Sequence, residues 1–207
     1  MKKILLMAFA AFTAVTFTQC GNKTAQNQDT TEEEDTASVV ENEVMVFGIC
    51  GEGSAMNTME VITDTGDTLN LSLEKAKEEG HVYGGYSVGD RMAVYLQKKD
   101  NEPLVIINET TLMGNWLMPN PIDGSSTLGM SIKDGGIAES INQPTIIFKT
   151  WKIVNGQLEI TLVREGGGDE EETNCYSMEK LDGDSLIFYG PEDRFEYGRE
   201  KRTDKKK

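Results

Sequence analysis

The sequence predicts an all-β protein: two consecutive small antiparallel β modules with one short helix, reached through an N-terminal stretch that belongs to neither. Three observations carry this. From residue 44 onward, apolar residues recur at every second position in short runs, the period of a strand. Turn-forming pairs separate the runs, notably Thr65-Gly66, Asn155-Gly156 and Asp182-Gly183. Only "EKAKEEG", 74–80, reads as helix, with Gly80 where helices often stop.

The first 43 residues are different in kind. Lys2 and Lys3 precede an apolar run over 4–15, too short to span a bilayer comfortably and correctly placed for a secretion signal over 1–19. Cys20 follows where cleavage is expected, and its position resembles the lipobox of bacterial lipoproteins, although Phe17 and Gln19 depart from the usual residues there. That resemblance implies lipidation of Cys20 and attachment to a bilayer through acyl chains, each buried methylene contributing about 0.8 kcal/mol. An ordinary secretory signal with an incidental cysteine is the other reading. Residues 20–43, rich in Thr, Gln, Asn and Glu, cannot bury enough surface to offset their ordering entropy and read as a tether. Within it, Glu32–Asp35 is a solvated acidic run or, on the sharper reading, a sorting signal for surface display. No later stretch approaches the roughly 20 apolar residues of a membrane-spanning helix.

Strands are expected near 44–50, 57–63, 67–73, 91–98 and 103–109. Met45, Phe47 and Ile49 alternate in the first, Leu69, Leu71 and Leu73 in the third, and Met92, Val94 and Leu96 in the fourth. Five strands with a helix after the third resemble an OB-fold barrel, which places a small OB-like domain over 44–111. Single-strand binders of that fold need a basic groove with stacking aromatics, whereas this segment is acidic. His81, the sole histidine, has no partner for a relay or a metal site and reads as a loop residue.

The composition changes at Leu112. Gly114-Asn115-Trp116 resembles the G-x-W signature that opens lipocalin and calycin barrels. Ser140-Ile141-Asn142, Thr145, Phe148 with Trp151, and Leu181 with Asp184-Ser185-Leu186 resemble phrases of the lipocalin-like domains in lipoproteins of Bacteroides and its relatives. The stretch from Val46 to Leu71 is similar to the domain that often precedes them. The resemblance spans roughly 44–190 and implies a lipid-anchored protein with a short lipocalin-like antiparallel barrel over 112–198, followed by a frayed basic tail over 199–207. The residues agree: Leu158, Ile160 and Leu162 alternate with polar neighbours, and Asn155-Gly156 pairs 145–154 with 157–164. With only about a hundred residues available, a large ligand cavity is not expected. Trp116 reads as a packing residue at the closed end.

A net charge of −15, with the one basic run confined to the tail, excludes a phosphate-binding surface and therefore nucleic acid as a partner. Catalytic, cofactor and metal sites are all expected to be absent: one histidine supports no triad, no zinc spacing occurs, and the Gly166–Glu172 loop reads as solvated rather than calcium-binding. Cys50 and Cys175, one in each module, could form a disulfide clamping the two, or remain as two free, buried thiols. The functional expectation is a non-enzymatic lipoprotein of the bacterial cell envelope, in the outer membrane and facing periplasm or cell surface, whose barrel binds a small ligand or a protein partner. The alternative is an interaction or envelope-stress-sensing lipoprotein with filled barrels. An apolar pocket of about 300 Å³ or more between Trp116 and Trp151 favours the first, and a filled core the second.

Overall fold

The computed structural model describes residues 42–201 apart from positions 123, 167, 169, 192 and 193. The signal segment, Cys20, the tether to residue 41 and the tail from residue 202 lie outside the described residues.

All five strands expected in the first module form: β1 (Glu43–Cys50), β2 (Thr58–Thr63), β3 (Thr68–Ser72), β5 (Arg91–Gln97) and β6 (Glu102–Asn108). Helix α1 (Glu74–Glu78) follows β3, and Gly80, at φ +74°, ends it as the sequence implied. A sixth strand, the two-residue β4 (Val82–Tyr83), pairs in parallel with β6 through Val82↔Ile106 and Tyr83↔Ile107. The six-stranded sheet runs β3-β2-β1-β5-β6-β4. It is therefore open, where a closed five-stranded barrel was expected. The reason is local: β4 occupies the edge of β6 that would have to hydrogen-bond to β3.

The sheet buries both faces. One encloses a core of Cys50, Met59, Val61, Leu71, Leu73, Ala76, Met92, Val94, Leu96 and Ile106, with Val44 and Val46 packed against it. The other presents Met45, Phe47, Ala93, Val105 and Ile107 to the second module. Met45 and Phe47 thus point away from the first core, and Ile49, in line with them, is 38% exposed. The run "VMVFGIC" is apolar at almost every position because a strand buried on both sides needs no polar face.

Between the modules a second helix, α2 (Glu109–Leu112), was not anticipated. Asn108 begins it: its side chain accepts a hydrogen bond from the Thr111 N–H at 2.9 Å, satisfying one of the N-terminal donors a helix leaves unpaired. A single turn with no apolar period carries no helix signal in sequence.

The second module is a closed barrel of β7 (Gly114–Pro119), β8 (Thr127–Lys133), β9 (Ile137–Ile141), β10 (Ile146–Val154), β11 (Gln157–Arg164), β12 (Glu171–Leu181), β13 (Ser185–Tyr189) and β14 (Arg194–Arg199). Asn155 and Gly156, at φ +48° and +72°, form the two-residue hairpin turn that joins β10 to β11 with Val154 opposite Gln157. At the next turn Asp182 Oδ1 accepts from the N–H groups of Asp184 and Ser185, turning β12 into β13. The ring closes where β14 pairs with β7, Gly198 opposite Leu117 and Arg199 opposite Trp116. Arg199, the first residue of the segment 199–207 that the sequence suggests is frayed, is instead the last residue of the closing strand.

The two modules share a boundary at one end of the barrel. Gly156 sits so close to the first sheet that a Cβ there would lie 2.9 Å from the Val105 Cβ. The Gly84 N–H donates to the Leu181 carbonyl at 2.9 Å. Residues of both modules, Ile107 and Leu112 among them, belong to one continuous core with the barrel interior.

Cys50 and Cys175 do not form the clamp considered from sequence. Cys50 is a free thiol, 1% exposed in the first core, with its Sγ 3.2 Å from Ser54 Oγ. Cys175 lies on the outer side of β12, since its neighbour Tyr176 faces inward; it is half-buried, with Sγ 3.8 Å from Glu159 Oε2. The two side chains face different environments.

Candidate functional site

Eight strands leave an interior just wide enough for side chains to fill it or to enclose one small ligand. In this barrel the two ends differ. At the end nearest the first module the interior is packed. Trp116 is fully buried, and its Nε1–H donates to the Leu112 carbonyl at 2.8 Å. The Arg199 guanidinium lies 4.1 Å from the Trp116 ring centre and donates to the carbonyl oxygens of Met113, Thr111 and Gly183. That arrangement stacks a cation on the ring face while satisfying the carbonyls around α2. Desolvation lowers the Arg199 pKa, with Asp184 and Asp182 opposing it. Trp116 closes the barrel end, in the packing role expected of it.

Toward the opposite end the walls open into a cavity of about 240 Å³. Its aliphatic and Phe148 wall comes from β10 and β11: Ile146, Phe148, Ile160 and Leu162. The facing wall is aromatic, built from Tyr176, Phe188, Phe195 and Tyr197 on β12, β13 and β14. These rings pack on one another: Tyr176 is tilted against Phe188 at 5.0 Å and edge-on to Phe195 at 5.7 Å, and Tyr197 stacks on Phe188 at 5.9 Å. Such arrangements contribute roughly 0.5–1.5 kcal/mol per pair beyond the area they bury, so this wall is stiff. Along each strand the cavity residues lie at the end away from the first module: Phe148 precedes Trp151, Leu162 follows Leu158, and Tyr176 precedes Leu181.

Few polar groups reach this space. Gln143, in the β9–β10 turn, lines the cavity, and its buried Oε1 has no hydrogen-bond partner among the described residues. Arg164 lies at the rim and is ion-paired with Glu172 at 2.9 Å. The Tyr197 phenol is buried; desolvation, and secondarily the Tyr176 phenol, raise its pKa. Within the lining no nucleophile stands beside a base. Among the described residues no group of three or more histidine, cysteine or acidic side chains is placed to hold a metal ion.

The pocket does not lie between Trp116 and Trp151, where the sequence suggests it. Trp151 donates its Nε1–H to the Lys133 carbonyl at 2.8 Å and, like Trp116, does not line the cavity. Cys20 lies outside the described residues; Cys50 is in the other core and Cys175 is on the outside of the wall, and neither of these two meets the cavity. Tyr176, Phe188, Phe195 and Tyr197 were missed individually. A signal was present: the last third of the chain places aromatics at alternate positions in "RFEYG" and ends the preceding strand "SLIFY" with two more.

Residues 108–200 match the model of the lipocalin-like family. The chain is also similar to a lipocalin-like protein from Bacteroides thetaiotaomicron VPI-5482 whose crystal structure is known. The two are 26% identical over 44% of this chain and 97% of that one, with a TM-score of 0.40. No curated protein matches. The family match covers α2, every strand of the closed barrel and the Arg199 contact that seals it: residues 108–200 of this chain are a lipocalin-like domain.

Proposed function

We propose that this is a lipid-anchored lipoprotein of the bacterial cell envelope, held in the outer membrane through Cys20, whose barrel is a non-enzymatic binding site for one small apolar ligand. The observation that carries the binding reading is the cavity of about 240 Å³, walled by rings and aliphatic side chains, in a barrel packed solid at its other end. Its volume lies below the ~300–1,000 Å³ of sites for drug-sized ligands and above the ~150 Å³ of an apolar cavity that admits benzene. A ligand of about one substituted ring fits. The mouth is at the barrel end opposite the first module, which supports delivery from solvent rather than from between the modules. The anchor rests on the signal-like N-terminus and the placement of Cys20.

Native mass spectrometry of the protein, purified without denaturation, tests the binding reading. The expected result is a retained small molecule that is lost in Leu162→Trp, where the larger side chain fills the cavity. A wild-type protein that carries nothing and binds no apolar single-ring probe overturns it. In that case the filled-barrel alternative predicts crosslinks to a neighbouring envelope protein on intact cells. Labelled fatty acid incorporated by the wild type and not by Cys20→Ala is expected for the anchor; equal labelling removes it.

A further inference from the structure

We infer that the cavity selects a neutral, single-ring-sized molecule carrying one hydrogen-bond donor, an O–H or N–H, which it presents to Gln143 Oε1. This deepens the binding reading above and rests on it.

The first ground is the orphaned acceptor. Buried side-chain oxygens are nearly always paired, and an unpaired one costs the desolvation of the group. Among the buried side-chain polar atoms described, Gln143 Oε1 alone is in that state, and its residue lines the cavity. The turn that carries it is pinned. Asn142 adopts φ +50° and donates from Nδ2 to the Thr127 carbonyl at 3.2 Å. Pro144 restricts the backbone of Gln143 itself, and the Glu165 N–H donates to the Thr145 carbonyl at 2.9 Å. The backbone of the turn is therefore fixed, and a donor in the cavity reaches Oε1, which is itself buried, through a turn of the Gln143 side chain alone.

The second ground is the shape and chemistry of the walls. Ile146, Ile160 and Leu162 face the ring cluster of Tyr176, Phe188 and Phe195, so the body of the ligand must be apolar, and a planar ring can pack against their faces and edges. The third is charge. The cation at the rim, Arg164, already pairs with Glu172 near the start of β12, and Glu170 and Glu171 precede Glu172 in sequence. A carboxylate ligand would have to compete with Glu172 for Arg164. A neutral ligand does not face that obstacle.

Titration calorimetry on the full chain in detergent, with partition into protein-free micelles subtracted, tests this with three probes: 4-ethylphenol, 4-ethyltoluene and 4-ethylbenzoate. The first two are nearly isosteric and differ in the donor. Without a waiting acceptor the hydrocarbon binds better, because burying an unpaired hydroxyl is unfavourable. The expected result is 4-ethylphenol tighter than 4-ethyltoluene by about fivefold or more, the effect of one net hydrogen bond, and 4-ethylbenzoate weakest. Gln143→Leu should reverse the order of the first two, and Gln143→Glu, which keeps the acceptor, should restore it. A wild type that prefers the hydrocarbon, a phenol preference that survives Gln143→Leu, or 4-ethylbenzoate binding tightest each overturns the inference while leaving a binding cavity. Absence of binding by all three overturns the binding reading with it.

Discussion

The backbone N–H of Gly84 donates to the carbonyl oxygen of Leu181 at 2.9 Å, joining the turn after β4 in the first module to the last residue of β12 in the barrel. Gly84 has φ +86°, and a Cβ there would lie 2.8 Å from the Asn108 Cβ and 3.0 Å from both Leu181 Cδ2 and the Thr111 Cβ. Backbone conformation and space both exclude a side chain. Gly84→Ala is expected to destabilise the protein by about 2–3 kcal/mol, more than the ~1–2 kcal/mol of a left-handed alanine alone. Gly85→Ala is the comparison: Gly85 also has positive φ, but nothing lies within 4 Å of its Cβ position. Urea unfolding of the two variants should separate them.

Arg199 is expected to be irreplaceable by lysine. Its planar group spreads three sets of donors over the carbonyls of Met113, Thr111 and Gly183 while standing over the Trp116 ring. An ammonium cannot do both. Arg199→Lys should cost about 1–3 kcal/mol, the range for lost hydrogen bonds to a charged group, measured as a fall in the urea midpoint at unchanged slope.

Alkaline pH should weaken the fold through its tyrosines. Desolvation, with smaller contributions from the Glu43 hydrogen bond and charge, pushes the Tyr95 phenol up to about 12, and burial raises Tyr197 as well. In the unfolded chain these phenols ionise near pH ~10. The unfolded state therefore loses protons first. The contribution of the neutral phenols is complete below about pH 10 and is lost as pH rises through the folded values. Unfolding free energy measured from pH 8 upward should stay level and then decline, and Tyr197→Phe should shallow the decline.

Cys50 should resist thiol reagents in the folded protein and react on unfolding, because its Sγ lies inside the first core. Peptide mapping without reduction is expected to show no Cys50–Cys175 crosslink. A crosslinked peptide would contradict the placement of these side chains in separate environments.

The strands of both modules were legible because half-buried strands write their period directly into the sequence. Leu158, Ile160 and Leu162 alternate with Gln157, Glu159 and Thr161, and all three apolar side chains are buried. The Asn155-Gly156 turn was equally clear, since few residue pairs accept two positive φ values. What escaped had a physical cause in each case. In β1 nearly every position after Glu43 is apolar, so its sequence could not say which of Val46 or Phe47 faces which core. Strand β4 has two residues, too short for any period, yet it decides that the first sheet stays open. The cavity was sought beside the tryptophans, which are conspicuous in sequence; it formed where Phe148, Tyr176 and Tyr197 meet from strands far apart in the chain. Gln143 looked like one more turn residue, because an unpaired acceptor is a property of the folded surroundings.

The sheet with two buried faces also bears on how this protein can be divided. Separating the chain near residue 111 would strip cover from Phe47, Ala93 and Ile107 on one side and from the Leu181 end of the barrel on the other. Large exposed apolar patches invite association. Each half expressed alone would then be a sticky fragment, and gene fusions or truncations that treat the two modules as interchangeable parts should yield aggregates where the whole chain yields a monodisperse protein.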